Sequence, residues 1–320
     1  MNDHDRALLQ YIANNDMPHA RDVAKVILRT EKAARNQEFC AKLLRKMEEQ
    51  DEKGIEIPYN LQSIIRTSCS PYSFDPARFY LTEREARVMD HLRRMYAAAG
   101  MMAERGIHYA NAVLLHGLSG TGKTSFAQYL ASALDLPFLY VSITQLMDSY
   151  LGKTGQNMEL VFRFASSLPC VLVLDEIDQI GTKRGDDGAV GGEIKRVLIS
   201  IMQNLDALPN KVIFVAATNR IEAIDEALIR RFPVKHEVEP LNERECEALI
   251  SQYMNSTGIN WAGNVIRFLS DTVSRKEQAE KLALAGAGHT PAAVTECLNE
   301  LIARALIENP EDPFVRLSGA

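Results

Sequence analysis

The chain has 320 residues, enough for two or three domains, and its 46% apolar and 24% charged composition is that of an ordinary globular protein with room for a sizeable core. Its 36 Lys and Arg against 42 Asp and Glu leave a net charge of −6, which lends no support to a nucleic-acid-binding surface; its five scattered cysteines form no Cys-x-x-Cys pair, which argues against a disulfide framework or a zinc site and favours a reducing compartment. Met1-Asn2-Asp3-His4-Asp5 lacks the layout of a secretory signal and no apolar run approaches a membrane span, so the expectation is a soluble, cytoplasmic protein.

Residues 1–53 read as helices. Asp3 or Asp5 can cap the first, Pro18 stands in the first turn of the second, and Phe39, Leu43, Leu44 and Met47 form one stripe of the third. This segment is either a small bundle packed on the rest or a docking module for a partner. Prolines and serines break the pattern over 54–81, which reads as a linker or irregular stretch. A helix then runs from Thr82, which opens a capping box with Glu85, to about Arg105, before Gly106.

Ala112 to His116 reads as a buried strand, and Ser125 to Leu134 as a helix. Between them Gly117-Leu118-Ser119-Gly120-Thr121-Gly122-Lys123-Thr124 fits the G-x-x-x-x-G-K-[ST] phosphate loop at every fixed position. Its glycines let backbone N–H groups turn around a polyphosphate at a helix N-terminus, where Ser125 follows. Lys123 can reach the outer phosphates and Thr124 can hold Mg²⁺.

Strands and helices then alternate: strand 137–142, helix 157–167, strand 170–174, helix 192–208, strand 211–217 and a short strand 234–238. That order predicts an α/β fold with a parallel sheet between helices. The strand Val171 to Leu174 delivers Asp175 and Glu176 at its C-terminal end, where ligands sit in open α/β sheets. Asp175 can bind Mg²⁺ through water, and Glu176 is placed to polarise an attacking water. Asn219, after the strand 211–217, can orient that water or touch the last phosphate. Arg230 and Arg231 end a short helical stretch, as dipole-stabilising bases or as cations for transferring phosphoryl charge. Beyond Pro240 only helices are expected, at 242–253, 265–273, 276–285 and 291–307.

With these elements in order, residues from about Thr82 to about Ile307 resemble the AAA family of ATPases. The likeness rests on Gly-x-x-Gly-Thr-Gly-Lys-Thr, Leu-Asp-Glu-Ile-Asp, Ala-Thr-Asn-Arg and Asp-Glu-Ala-Leu-Ile-Arg-Arg-Phe. It implies ATP and Mg²⁺ as cofactors. Gly117 to Thr124 is Walker A, Asp175 with Glu176 is Walker B, Asn219 is sensor 1, and Arg230 and Arg231 are arginine fingers acting on a neighbouring subunit. It also implies a homo-oligomer, most often a hexamer, and the contiguous arginines resemble the katanin and spastin branch. The implied layout is a helical N-terminal domain (1–53), a linker (54–81), a large ATPase subdomain (82–240) and a helical lid (241–320).

Tyr150-Leu151-Gly152-Lys153 resembles the substrate-gripping pore loop of AAA protein unfoldases, its alternative being a packed Tyr at a helix C-terminus with a Gly cap. Gly185 to Gly192 sits where a second pore loop would, or is a surface loop. Two departures stand out. Leu118-Ser119 replaces the common Pro-Pro, and no arginine occupies the sensor 2 position around Gly288 to Ala293, leaving backbone contacts or His289. The resemblance implies an ATP-driven protein remodeller, with or without a separate partner such as a protease. The alternatives are a DNA-associated ATPase and a nucleotide-controlled scaffold.

Overall fold

The computed structural model describes residues 6, 23–24, 26–28, 40, 57–67, 74–149, 154–180, 189–261, 290–308 and 314–315. The chain divides into two units, Met1–Asn60 and Leu61–Ala320. In the first, the described residues up to Cys40 are helical, and most of the expected N-terminal helices lie outside the described residues.

The second unit is built on five parallel strands: β1 (Asn111–His116), β2 (Phe138–Ser142), β3 (Cys170–Asp175), β4 (Val212–Thr218) and β5 (Val234–Glu237), in the spatial order β2-β3-β4-β1-β5. The central strands are continuous apolar runs because both faces are covered. On one face Val113, Leu115, Val171, Val173, Ile213 and Val215 pack with Leu92 of α1 (Glu83–Glu104) and Phe126 and Leu130 of α2 (Lys123–Ala133). The alternating residues face the other way. There Phe214 meets Phe162 of α4 (Thr154–Ser167) at 5.6 Å and Phe232 at 5.8 Å between ring centroids. The expected parallel sheet between helices is therefore present.

The helix starting after Thr82 has the full capping box: Thr82 accepts from the Glu85 amide, and the Glu85 carboxylate accepts from the Thr82 amide. Two elements differ from the sequence expectation. A seven-residue helix α3 (Ile143–Ser149) follows β2 directly, too short to show helical periodicity. The helix α5 (Ala189–Asp206) begins before the glycines at which a loop was expected to end, so helical backbone continues through residues of poor intrinsic propensity. A one-turn helix α6 (Glu226–Ile229) precedes the arginine pair.

Beyond Pro240, α7 (Glu243–Thr257) and α8 (Pro291–Glu308) make a separate core from Leu241, Cys246, Leu249, Ile250, Val294 and Leu298. This part is not purely helical. β6 (Asn260–Trp261) and β7 (Phe314–Val315) pair in parallel, an element of two residues per strand that no sequence pattern can announce. The expected helices 265–273 and 276–285 lie outside the described residues.

The stretch 61–81 is tied down at several points. Arg66 and Tyr140 exchange backbone hydrogen bonds of 2.9 and 2.7 Å, adding an antiparallel bridge to β2. Gln252 of α7 donates to the carbonyls of Ala77 (2.9 Å) and Phe79 (2.8 Å). No helix among the described residues is long and apolar enough to cross a membrane.

Candidate active site

The C-terminal ends of β1, β3 and β4 open into a cleft of about 1170 Å³. Three sets of residues line it: Ser119 to Ser125 of the phosphate loop, the strand-end residues Asp175, Glu176 and Asn219, and a rim from the 74–80 strap, α7 and α8.

Gly117, Gly120 and Gly122 hold φ of +140°, +79° and +97°. A Cβ on Gly117 would lie 2.4 Å from the Val238 carbonyl oxygen, so only glycine fits there. Gly122 caps α2 in the left-handed conformation, which turns the loop into the helix N-terminus. The amides of such a loop and its helix form a concave, electropositive seat for an anion. The Lys123 ammonium donates to the carbonyls of Gly117 (2.9 Å) and Leu118 (2.7 Å), and the Thr121 hydroxyl to that of Leu118 (2.9 Å). Burial lowers the Lys123 pKa, opposed by the nearby Asp175 and Asp178 carboxylates. Burial likewise lowers the pKa of His116 at the end of β1, so its imidazole is neutral at neutral pH.

The acids are held by side chains from α2, β2 and β4. Thr124 Oγ1 donates to Asp175 Oδ2 at 2.8 Å, and Tyr140 of β2 reaches the same oxygen at 3.3 Å. A hydroxyl beside a carboxylate, both hard oxygen donors, suits Mg²⁺. Glu176 sits in the left-handed region at φ 59°, ψ 39°, and Ser142 Oγ donates to its Oε2 at 3.0 Å. Behind them, the buried Thr218 donates to Asp178 Oδ1 at 2.8 Å and accepts from the Arg220 amide at 2.9 Å. That link ties the turn after β3 to the turn after β4 that carries Asn219.

Of the residues singled out in the sequence, the structure brings Ser119, Gly120, Thr121, Gly122, Lys123, Thr124, Ser125, Asp175, Glu176 and Asn219 to one cleft. Gly117 shapes the loop from behind, and Leu118 is 44% exposed. Arg230 and Arg231 do not line the cleft. Arg230 pairs with Glu226, and Arg231 with Asp206. Tyr150, Leu151, Gly152 and Lys153 lie outside the described residues, as do Gly185 to Gly188 and His289. At the sensor 2 position the Ala292 amide donates to the Gly120 carbonyl at 3.3 Å, a backbone contact between α8 and the phosphate loop. Sequence reasoning missed Ser142, Tyr140 and Gln252, which belong to no contiguous motif, and gave no role to Thr218, which stands within Ala-Thr-Asn-Arg.

The family model for ATPases associated with various cellular activities matches residues 113–240. An uncharacterised AAA family ATPase, y4kL of Sinorhizobium fredii, is 35% identical over 152 residues, which cover 48% of this chain and 46% of the relative. The 26S proteasome regulatory subunit 10B homolog A of Arabidopsis thaliana is 38% identical over 145 residues, 43% of this chain and 36% of the relative. The 26S proteasome regulatory subunit 8 homolog A of the same plant is 26% identical over 286 residues, 88% of this chain and 64% of the relative. The chain thus spans less than half the length of the first two of these relatives. Residues 113–240, built around this phosphate cradle, thus form a domain of the AAA family of ATPases.

Proposed function

We propose that the chain uses ATP hydrolysis to remodel protein substrates, as a homo-oligomer and most simply a hexamer. What carries this reading is the convergence of Lys123, Thr124, Asp175, Glu176 and Asn219 on one cleft, joined to the kinship with chains named as proteasome regulatory subunits. The contiguous Arg230-Arg231-Phe232 supports a place near the katanin and spastin branch.

In this reading the phosphates of ATP enter the loop and take the Lys123 ammonium from the carbonyls of Gly117 and Leu118. Thr124 and Asp175 hold Mg²⁺, which when bound neutralises charge on the phosphate oxygens. Asn219 orients a water against the terminal phosphorus, and Glu176 accepts its proton as the new P–O bond forms and ADP leaves. Arg230 and Arg231 serve the site of a neighbouring subunit. Residues 82–240 act as the ATPase body and 241–320 as its lid. Tyr150, Leu151 and Gly152 grip the substrate, and the N-terminal helices dock a partner.

The deciding experiment measures phosphate release with an unfolded protein or with DNA added. Stimulation of several-fold by the unfolded protein, and none by DNA, is the expected result. Stimulation by DNA alone would replace the reading with that of a DNA-associated ATPase.

A further inference from the structure

Asp175, proposed with Thr124 as the seat of Mg²⁺, has both carboxylate oxygens engaged. Oδ1 accepts from the Glu176 amide at 2.9 Å. Oδ2 accepts from the Thr124 hydroxyl at 2.8 Å and from the Tyr140 phenol at 3.3 Å. The first two donors belong to the acid pair itself and to the helix after the phosphate loop. The third comes from β2, which carries no nucleotide-binding motif.

In the parallel pairing of β2 with β3, Tyr140 sits opposite Val173, and Ser142 sits opposite Asp175. The phenol therefore has to lean along the strand by two residues, about 6.6 Å, to meet the carboxylate. A tyrosine spans that distance and a small side chain does not. The ring packs against the core that contains Phe126, Leu130, Val171 and Val173, beside Phe138 at 6.3 Å between centroids. The backbone of Tyr140 is held as well. β2 is an edge strand, and such strands ordinarily leave their outer N–H and C=O groups unpaired. Here Tyr140 donates to the Arg66 carbonyl at 2.7 Å and accepts from the Arg66 amide at 2.9 Å. Arg66 ends a buried hook: Leu61 and Ile65 are each 2% exposed, and the Ile64 and Ile65 amides return to the Leu61 carbonyl at 2.9 and 2.8 Å. The one clamp on this edge among the described residues falls on the residue whose side chain touches Asp175.

We infer that Tyr140 is a positioning residue for the metal site: its phenol, set by the packed ring and the Arg66 bridge, holds the Asp175 carboxylate in the orientation it shares with Thr124. This rests on the proposed reading of Thr124 and Asp175 as the Mg²⁺ pair. Groups that orient a metal-holding side chain typically contribute about 10–100-fold to metal affinity. Tyr140 does not line the cleft, so nucleotide without metal has no direct need of it.

The test titrates Mg²⁺ into the full-length chain with the non-hydrolysable imido analogue of ATP, starting in chelator, and follows the affinity for the analogue. Tyr140→Phe keeps the ring and removes the hydroxyl. It should raise the Mg²⁺ concentration at the midpoint by about tenfold and leave the affinity in chelator at the wild-type value. Its melting temperature should fall by no more than the few degrees that one lost hydrogen bond brings. Phe138→Leu, two residues earlier on the same face of β2, is the control for packing. It should lower the melting temperature and leave the Mg²⁺ midpoint in place. An unmoved midpoint in Tyr140→Phe overturns the assignment. So does an equal shift in Phe138→Leu, since the packing of β2 and not the phenol would then set the site. A loss of affinity in chelator as large as that in Mg²⁺ also overturns it, because the phenol would then serve the fold of the loop. If Phe138→Leu does not fold, the split between chelator and Mg²⁺ in Tyr140→Phe decides alone. A wild-type chain that binds the analogue no more tightly with Mg²⁺ than without it defeats the reading of Thr124 and Asp175, and the role of Tyr140 with it.

Discussion

Glu176 occupies a backbone conformation that disfavours side chains, at a cost on the order of 1–2 kcal/mol. The turn it makes sends the chain from β3 into a short 3-10 helix, with its amide donating to Asp175 Oδ1 at 2.9 Å and its carboxylate bonded to Ser142. Strain kept at this position is explained if the carboxylate must face the cleft. Glu176→Gln preserves size and the bond to Ser142 but removes the base. Nucleotide titration should therefore give near wild-type affinity, while phosphate release falls by about 10²–10⁴-fold. Hydrolysis at the wild-type rate would place the base elsewhere. Glu176 was readable in the sequence because an acid pair at the end of an apolar run is contiguous. Ser142 was not, because 34 residues separate it from Glu176 and only the pairing of β2 with β3 in register makes them neighbours.

The ends of two helices show how the same device was built with two residues. After α1, the amides of Gly106 and Ile107 bond back to the carbonyls of Ala103 (3.0 Å) and Met102 (2.9 Å). After α2, those of Asp135 and Leu136 bond to Ser132 (3.2 Å) and Ala131 (2.9 Å) in the same pattern, a Schellman ending that needs a left-handed residue. Gly106 takes φ +67° freely, whereas Asp135 takes φ +53° with a Cβ and places an anion at the negative end of the helix. Asp135→Gly should stabilise the protein by about 1 kcal/mol, a rise in melting temperature of roughly 2–4 °C, less the entropy glycine adds to the unfolded chain. Calorimetry measures it, and a fall in melting temperature would mean that Asp135 has a stabilising role that outweighs its backbone strain. Gly106 announced its helix end to the sequence reading because glycine is the usual signal, and the parallel sheet was announced by apolar runs between helical stretches. The helix α3 and the β6–β7 pair were too short for periodicity to register, and the start of α5 was obscured by its glycines.

At the scale of the molecule, the cleft is closed by parts that share no local sequence. Arg84, at the start of α1, forms ion pairs with Glu239 after β5 and with Glu245, the residue that completes the capping box of α7. Facing it, the strap at 74–80 is drawn onto α7 by Gln252, and the Arg78 guanidinium lies 5.3 Å from the ring centroid of Tyr253, whose hydroxyl donates to Asn299 of α8 at 2.8 Å. The Phe79 ring of the strap also lies tilted against Tyr129 of α2, 4.9 Å between centroids, so one short segment touches both the helix behind the phosphate loop and the C-terminal helices. The chemistry of hydrolysis sits at the strand ends, and Gln252 is not among the residues that line the cleft. Loosening the strap should therefore weaken substrate binding and spare the chemical step. Gln252→Ala removes both donors to the strap, and hydrogen bonds of this kind contribute about 0.5–1.5 kcal/mol each. If ordering the strap is coupled to binding, KM for ATP should rise by roughly tenfold with kcat changed far less. Steady-state kinetics separate the two parameters. A collapse of kcat at unchanged KM would show that the strap acts on the reacting groups instead, through α2, which begins at Lys123 and carries Tyr129.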